Sequence, residues 1–532
     1  MIIHSLRLSC RFWPPLLLAL SLLTGCTMVG PDFLRPIGKL SSQWLEAEDH
    51  RIGTSPATYR EWWKCFDDPV LEALVQTAYQ QNLPLRIAGV RVFEARAQLG
   101  IAVGEFYPQT QQALGSTNFN RISETSPQLT SPTGIGLSYM QAQIGLGASW
   151  ELDFWGKYRR AIESADANLL STIAAYDNVL VALTGDVAST YVQVRTLEER
   201  LRIARENVEI QKEGLTIAQA RFQGGAASDR DVQQAIAELK NTEATVFQID
   251  TQLRQSKNAL CTLLGLPPSR LDDILSKTSG IPKSPLQVAV GIPADLLRRR
   301  PDIRSAEYLA AAQCAQIGVA KADLFPAFSL SGNFGFLSSD VGRASLGDLT
   351  SWKSRTGSIG PAFQWNLFNY GQITNNVRVQ DAKFQEAIVT YQNTVLQAQQ
   401  EVENGLVSFL NAQEQVISFG EAANAAKKSL DLAMIQYTEG MTDFTTVLTA
   451  QQNLLKYQNN LVDSQGAVPQ GLIAIYRALG GGWEIREGHD FIPAEIKEAM
   501  EERTDWGRLL RPAAVEPPPP EQRELMLRAP DW

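Results

Sequence analysis

The chain has 532 residues, 44% of them hydrophobic, and a formal net charge of −9. That hydrophobic share supplies ample core and excludes wholesale disorder. The acidic balance argues against a nucleic-acid partner, which needs a basic face.

Arg7 and Arg11 give a basic start, and 13–23 is an apolar run too short to span a membrane. Residues 1–25 therefore read as a secretory signal peptide. It ends Leu23, Thr24, Gly25, Cys26, a lipobox whose cysteine becomes the acylated N-terminus of a bacterial lipoprotein. Thr27 follows, not the aspartate that retains such proteins at the inner membrane, so outer-membrane sorting is implied. Residues 26–60 are aperiodic and read as a lipid-anchored extended arm.

The body opens at residue 61. Asp68 and Pro69 suit an N-cap and first helical position, and one helix is expected from there to about Glu105. A strand follows, then a Ser/Thr/Pro/Gly-rich loop over 123–136. From Met140 to Phe154 even positions are apolar and odd ones polar or glycine, the period of a strand. Apolar positions then recur from Ala161 to Phe222 about every 3.6 residues, a helix period. No proline interrupts 157–222, so the helix runs for roughly 100 Å. A compact soluble domain has no use for that length. At Phe222, Gly224, Gly225 and Ser228 the helix stops and turns; Gly224 or Gly225 takes the left-handed cap, and Ser228 caps a return helix over 229–264. A proline-rich linker covers 265–300.

The whole order then repeats. Trp150, Gly156, Phe222, Gly225 and Gly265 return 215 residues later as Trp365, Gly371, Tyr437, Gly440 and Gly480. Arg86, Ala102 and Pro108 return 218 later as Arg304, Ala320 and Pro326. So long a unit is a duplicated half-protein, 61–264 and 301–482, and not a stacked solenoid. The tail 483–532 carries Glu516 before four prolines and a dense set of charges, and is expected to be partly disordered.

Chemistry-bearing clusters are scarce. Cys65, Cys261 and Cys314 are an odd, widely spaced set and no disulfide framework. His50 and His489 belong to no metal-spaced group, and no nucleophile motif or phosphate loop stands out. The expectation is no enzyme activity, no cofactor and no metal.

The lipobox with Cys26 to Phe33, the Trp62, Trp63, Phe66 to Pro69 stretch, the run Gly291 to Ile303, and the paired Trp…Gly and aromatic-x-x-Gly elements resemble the outer-membrane efflux lipoproteins of the TolC type. The likeness covers about 26–483. It implies an α+β membrane protein: a homotrimer in which each protomer gives four strands to one 12-stranded barrel. Long helices continue as a periplasmic coiled-coil tunnel. It further implies that the helical tips dock on a periplasmic adaptor joined to an inner-membrane RND-type pump. Four amphipathic strands cannot close a barrel alone, so oligomerisation follows from the strands as well. The function expected is an exit duct for small molecules, whether drugs, toxic compounds or metal ions. A stand-alone porin is the alternative, but porins are nearly all strand. A coiled-coil scaffold leaves the strands and lipobox unexplained.

The turns carry the expected working end. Phe222, Gly225, Ser228, Tyr437, Gly440 and Thr442 form the periplasmic tip and docking surface, Phe222 and Tyr437 anchoring the last helical turns. Asp229, Asp231 and Asp443, with ion pairs to Arg221 or Arg230, are the candidate gate. The family's own aspartates match Thr446 and Thr449 here, so that gate is not carried over unchanged.

Overall fold

The computed structural model describes residues 28–53, 59–123, 125, 138–291, 293–295, 299–341 and 344–511. The signal peptide, Cys26, most of the 123–136 loop and residues 512–532 lie outside the described residues.

Helix α1 (Pro69–Gln81) starts as its sequence dictates, with the Asp68 carboxylate accepting from the Val70 and Leu71 N–H groups. The single helix expected to about Glu105 is in fact two. Pro84 has no N–H to give the Gln80 carbonyl and its ring would strike it. The chain therefore becomes extended at Asn82, whose side chain caps α2 (Leu83–Phe106) at the Leu85 N–H, 2.9 Å away. Arg86 takes over the Gln80 carbonyl at 3.0 Å.

Strands β1 (Thr110–Arg121), β2 (Ser138–Leu152), β3 (Ala327–Ser339) and β4 (Arg355–Gln364) form one antiparallel sheet in that order. Between β2 and β3 lie α3 (Lys157–Gln223), α4 (Asp229–Leu263) and α5 (Pro301–Ala322); after β4 come α6 (Gln372–Thr438) and α7 (Phe444–Ala478). The long helices have 67 residues each and the return helices 35 each, so the duplication is exact in helix length. Local contacts repeat too. The Trp150 indole donates to the Phe106 carbonyl at 3.1 Å, and the Trp365 indole to that of Leu324 at 3.0 Å.

The main core lies midway along the helices. The arm runs back along α6 from Val29, whose N–H reaches the Trp155 carbonyl at 3.0 Å. Gly30 at φ +103° packs on Gly318 so closely that a side chain would strike its Cα. Further on, the Ser41 and Leu45 N–H groups bond Gln399 and Glu403, and Ile52–Gly53 pairs in parallel with Val288–Ala289. The arginines of the 291–304 run tie this region together. Arg300 donates to the Ala478 carbonyl, Glu401 and Asp302, while Arg299 lies 3.5 Å over the Tyr59 ring.

Of the tail 483–532, residues 483–511 are described. Residues 483–511 are folded, with Phe491, Ile492, Met500 and Leu510 buried in the main core and α8 (Ala494–Glu501) lying across it. Arg486 donates to the fully buried Asp177 of α3 at 2.6 and 3.2 Å, and Arg304 stands 3.8 Å away. Burial pushes the Asp177 carboxyl above its usual range, against the pull of both arginines.

Removing one partner of a buried ion pair costs about 3–5 kcal/mol, because the other charge is left in the interior. Arg486→Ala should therefore lower the thermal unfolding temperature and expose 483–511 to protease. Arg486→Met with Asp177→Asn should recover most of that loss. Equal protection of the tail in Arg486→Ala and the parent would refute this role.

Candidate functional site

The two ends of the molecule carry opposite chemistries. At one end the sheet registers collect the side chains of all four strands onto two faces. Phe119, Ile144, Leu146, Phe334, Phe336, Ile359 and Phe363 share one face; Gln141, Gln143, Ser149, Ser331, Asn333 and Ser358 share the other. The apolar face is open: Phe119 is 69% exposed and Ile359 82%. Both outer strands, β1 and β4, have a bare edge. Among the described residues no helix is long and apolar enough to cross a membrane.

At the other end α3 and α6 each reverse into their return helices. Gly225 is at φ +74° and Gly440 at +79°, the left-handed region that suits glycine. The chain closes behind them, Ala226 N–H onto the Arg221 carbonyl and Met441 N–H onto that of Gln436, both at 2.8 Å. A side chain at Gly225 would meet nothing within 4 Å, so backbone conformation and not space demands the glycine.

A separate apolar cluster sits beneath these turns. Tyr437 and Phe444, 2% and 1% exposed, meet edge to face at 5.4 Å among Ala218, Val232, Leu430 and Val447. Tyr437 anchors its turn as expected. Phe222 does not: it is 44% exposed, and the second anchor is Phe444 from the return helix. Its spacing of three from Val447 was the only available sign.

Of the two arginines expected to pair with the aspartates, Arg230 does so, with Asp231, and Arg221 does not. Arg221 pairs with none of the three aspartates. Its guanidinium lies 4.6 Å over the Tyr437 ring and donates to the Thr438 and Ala226 carbonyls, bridging the two turns. Ser228 stands at the N-cap but its side chain makes no bond to the helix backbone; its hydroxyl donates to Asp231 at 3.2 Å, and Arg230 is 3.7 Å from the same carboxylate. Asp231 is almost buried, whereas Asp229 stays outside and accepts from Gln233. Burial raises the Tyr437 hydroxyl above its usual range, nearby Asp231 adds to this, and Arg221 opposes it. Asp443 caps α7 at the Thr446 N–H, and the Thr442 hydroxyl donates to that of Thr446 at 2.9 Å.

The cysteines take no part. Cys261 and Cys314 are buried, and burial pushes the half-buried Cys65 thiol up to about 12. No three His, Cys, Asp or Glu side chains gather to hold a metal among the described residues.

Comparison with known proteins places this geometry. The family model for outer membrane efflux proteins matches residues 74–266 and 292–481. The solvent efflux pump outer membrane protein SrpC of Pseudomonas putida is 32% identical over 477 residues, 88% of this chain and 98% of that protein. Nodulation protein T of Rhizobium leguminosarum bv. trifolii is 31% identical over 463 residues, 87% and 96% of the two chains. Among solved structures, the outer-membrane channel OprN is 32% identical with a TM-score of 0.79, over 86% of this chain and 99% of that one. The open state of the Neisseria gonorrhoeae MtrE outer membrane channel is 25% identical with a TM-score of 0.71, over 86% and 98%. The chain belongs to the outer membrane efflux protein family, and it is the outer-membrane exit duct of an efflux pump, with helices that carry the channel into the periplasm.

Proposed function

We propose that three copies of the chain close into one conduit, with Cys26 lipidated in the outer membrane and the two helical turns as its docking and closing end. The observation that carries this is the sheet with one apolar face, one polar face and two bare edges. Edges are not tolerated in hydrocarbon, and outer-membrane barrels need at least eight strands. Three copies of a four-stranded sheet supply twelve. The apolar face meets lipid and the polar face lines a wet lumen.

The long helices support the same reading. Helix α3 is packed on most sides, with buried residues from Arg160 onward, whereas no residue of α6 is buried before Tyr391. Val379, Val389 and Leu396 of α6 are about half exposed, as befits a face that meets another copy. The conduit is passive and not an enzyme. Its partners are a periplasmic adaptor at the turns and an inner-membrane pump of the RND type, which selects the cargo. Relatives carry names as different as solvent efflux and pyoverdine export on one scaffold.

Lipid at Cys26 fits the path of the arm. Val29, three residues after Cys26 in the sequence, is bonded at the strand–helix junction. Cys26→Ala should leave an unprocessed precursor on a gel; normal processing and acyl labelling elsewhere would rule the site out.

Single-cysteine variants at Ile144 and Leu146 should resist a membrane-impermeant thiol reagent, while those at Gln141 and Gln143 react. Preferential labelling at 144 and 146 would reverse the faces.

At the turns, valine for Gly225 or Gly440 must adopt a left-handed backbone at roughly 1–2 kcal/mol or more. Efflux should fall at least tenfold while trimers still form. Asp231→Ala frees Ser228 and Arg230, and Asp443→Ala uncaps α7; both should raise uptake of an antibiotic the outer membrane normally excludes. Unchanged efflux and uptake in all four variants would take the closing end away from these turns.

A further inference from the structure

We propose that residues 344–354, between β3 and β4, and the outer ends of β1 and β4 form a headgroup site for a phosphate-bearing lipid of the outer leaflet. Arg355 on Trp352, with Lys353 beside them, takes the phosphate, and Arg121 adds a second cation from β1. This rests on the apolar face meeting lipid, as proposed above, and adds the ligand which that face selects.

The strand registers place the cations. Phe336 lies opposite Ile144 on one side and Arg355 on the other, so Arg355 belongs to the apolar face. Arg121 stands two residues beyond Phe119 on the same face, opposite Ser138. Both arginines are exposed, and both end that face on the side away from the helices. Along β4, Arg355 is eight residues from Phe363 (363 − 355) near the helical end. Eight residues of strand span about 27 Å, or about 20 Å of height at a tilt of about 40°, against an apolar band about 25 Å tall. The arginines therefore sit at the outer rim, where hydrocarbon gives way to headgroups.

The segment before β4 folds back onto this end of the face. Ser338, two residues past Phe336, is nearly buried and donates to the Ser345 carbonyl at 2.7 Å. Two short 3₁₀ turns follow, Leu346–Asp348 and Trp352–Ser354. The Ser345 and Ser351 hydroxyls accept from the Gly347 and Lys353 N–H groups, and the Ser354 hydroxyl donates to the Asp348 carbonyl at 2.7 Å. The turns set the Trp352 ring against Phe334 and Phe336, its centre 6.3 and 6.4 Å from theirs. The indole is nonetheless 65% exposed, so it covers the face without being covered itself.

Arg355 is built onto that platform. Its guanidinium lies 5.0 Å over the Trp352 ring, and its Nη1 donates to the Trp352 carbonyl at 2.8 Å. A guanidinium has five N–H donors, so most of these stay open to an outside acceptor. Among the described residues no carboxylate lies within ion-pair distance of Arg121, Lys353 or Arg355, and Asp340 instead accepts from the Met140 N–H at 2.7 Å. The arginines of the helical body differ: Arg300, Arg477 and Arg486 each face a carboxylate. An exposed cation held on an indole, with no acid of its own, fits an anion, and phosphate is the anion that a guanidinium meets in two-pronged geometry. Lipid is the source because the ground around the cation is apolar: acyl chains of the same molecule lie along Phe334, Phe336 and Ile359.

The test uses the full-length lipoprotein in phosphatidylcholine nanodiscs, with bisphosphorylated lipid A as the probe and native mass spectrometry to count bound lipid. The parent should hold lipid A and leave its dephosphorylated form unbound. Arg355→Gln with Lys353→Gln should weaken binding about tenfold or more, because charged hydrogen bonds are lost. Arg121→Gln should weaken it less, and Arg355→Lys should keep part of it. Trp352→Leu should also weaken it, and Trp352→Phe should restore it. Equal binding by the double variant and the parent, or equal binding of dephosphorylated lipid A, would overturn the site. Displacement of lipid A by excess inorganic phosphate would overturn lipid as the source. Any of these results, with cysteines at 141 and 143 still labelled in preference to 144 and 146, would leave the conduit intact. Reversed labelling would instead remove the face on which the site is built.

Discussion

A backbone N–H or C=O in hydrocarbon has no water to bond, and every feature of the sheet end answers to that fact. One chain satisfies the inner edges of β2 and β3 against each other and their hairpin partners, and leaves β1 and β4 bare outside. The bare edges belong to opposite halves of the duplication. The halves already meet within the chain, between Ser138–Leu152 and Ala327–Ser339.

A sheet edge sets how copies meet but does little to hold a long helical wall in line. That task falls to the middle of the molecule, where buried charges staple separate segments. Arg300 links the start of α5 to the end of α7 and to α6, and Arg486 pins the tail to α3 through Asp177. Each staple joins chain segments more than 100 residues apart, which a solvent-exposed ion pair would not hold firmly. Arm, linker and tail thus gather on the helices at the level of the main core.

The large features were legible because they depend on local rules. Helix lengths followed from an unbroken period and the lack of proline, and the turns from glycines that must go left-handed. What was not legible depended on contacts distant in sequence. The break at Asn82 was signalled only by Pro84. The folding of 483–511 was hidden by its charges, since nothing near Arg486 announces that Asp177 waits for it. At the turns, pattern matching paired Phe222 with Tyr437, yet the halves differ there. Tyr437 is packed by Phe444 and covered by Arg221, and Phe222 is left outside.

That asymmetry sits on a discontinuous interior. The main core reaches Ala204 on α3, and the tip cluster takes over at Ala218. Between them α3 carries the buried Val208, with Ile210, Leu215 and Ile217 packed against the tip cluster, and two amides. Asn207 donates to Gln458 at 2.8 Å, and the buried Gln211 side chain finds no protein partner at either atom. The sheet and main core demand rigidity, because a slipped register or loosened arm would leave bonds unmade. The far turns rest on a small apolar cluster of their own.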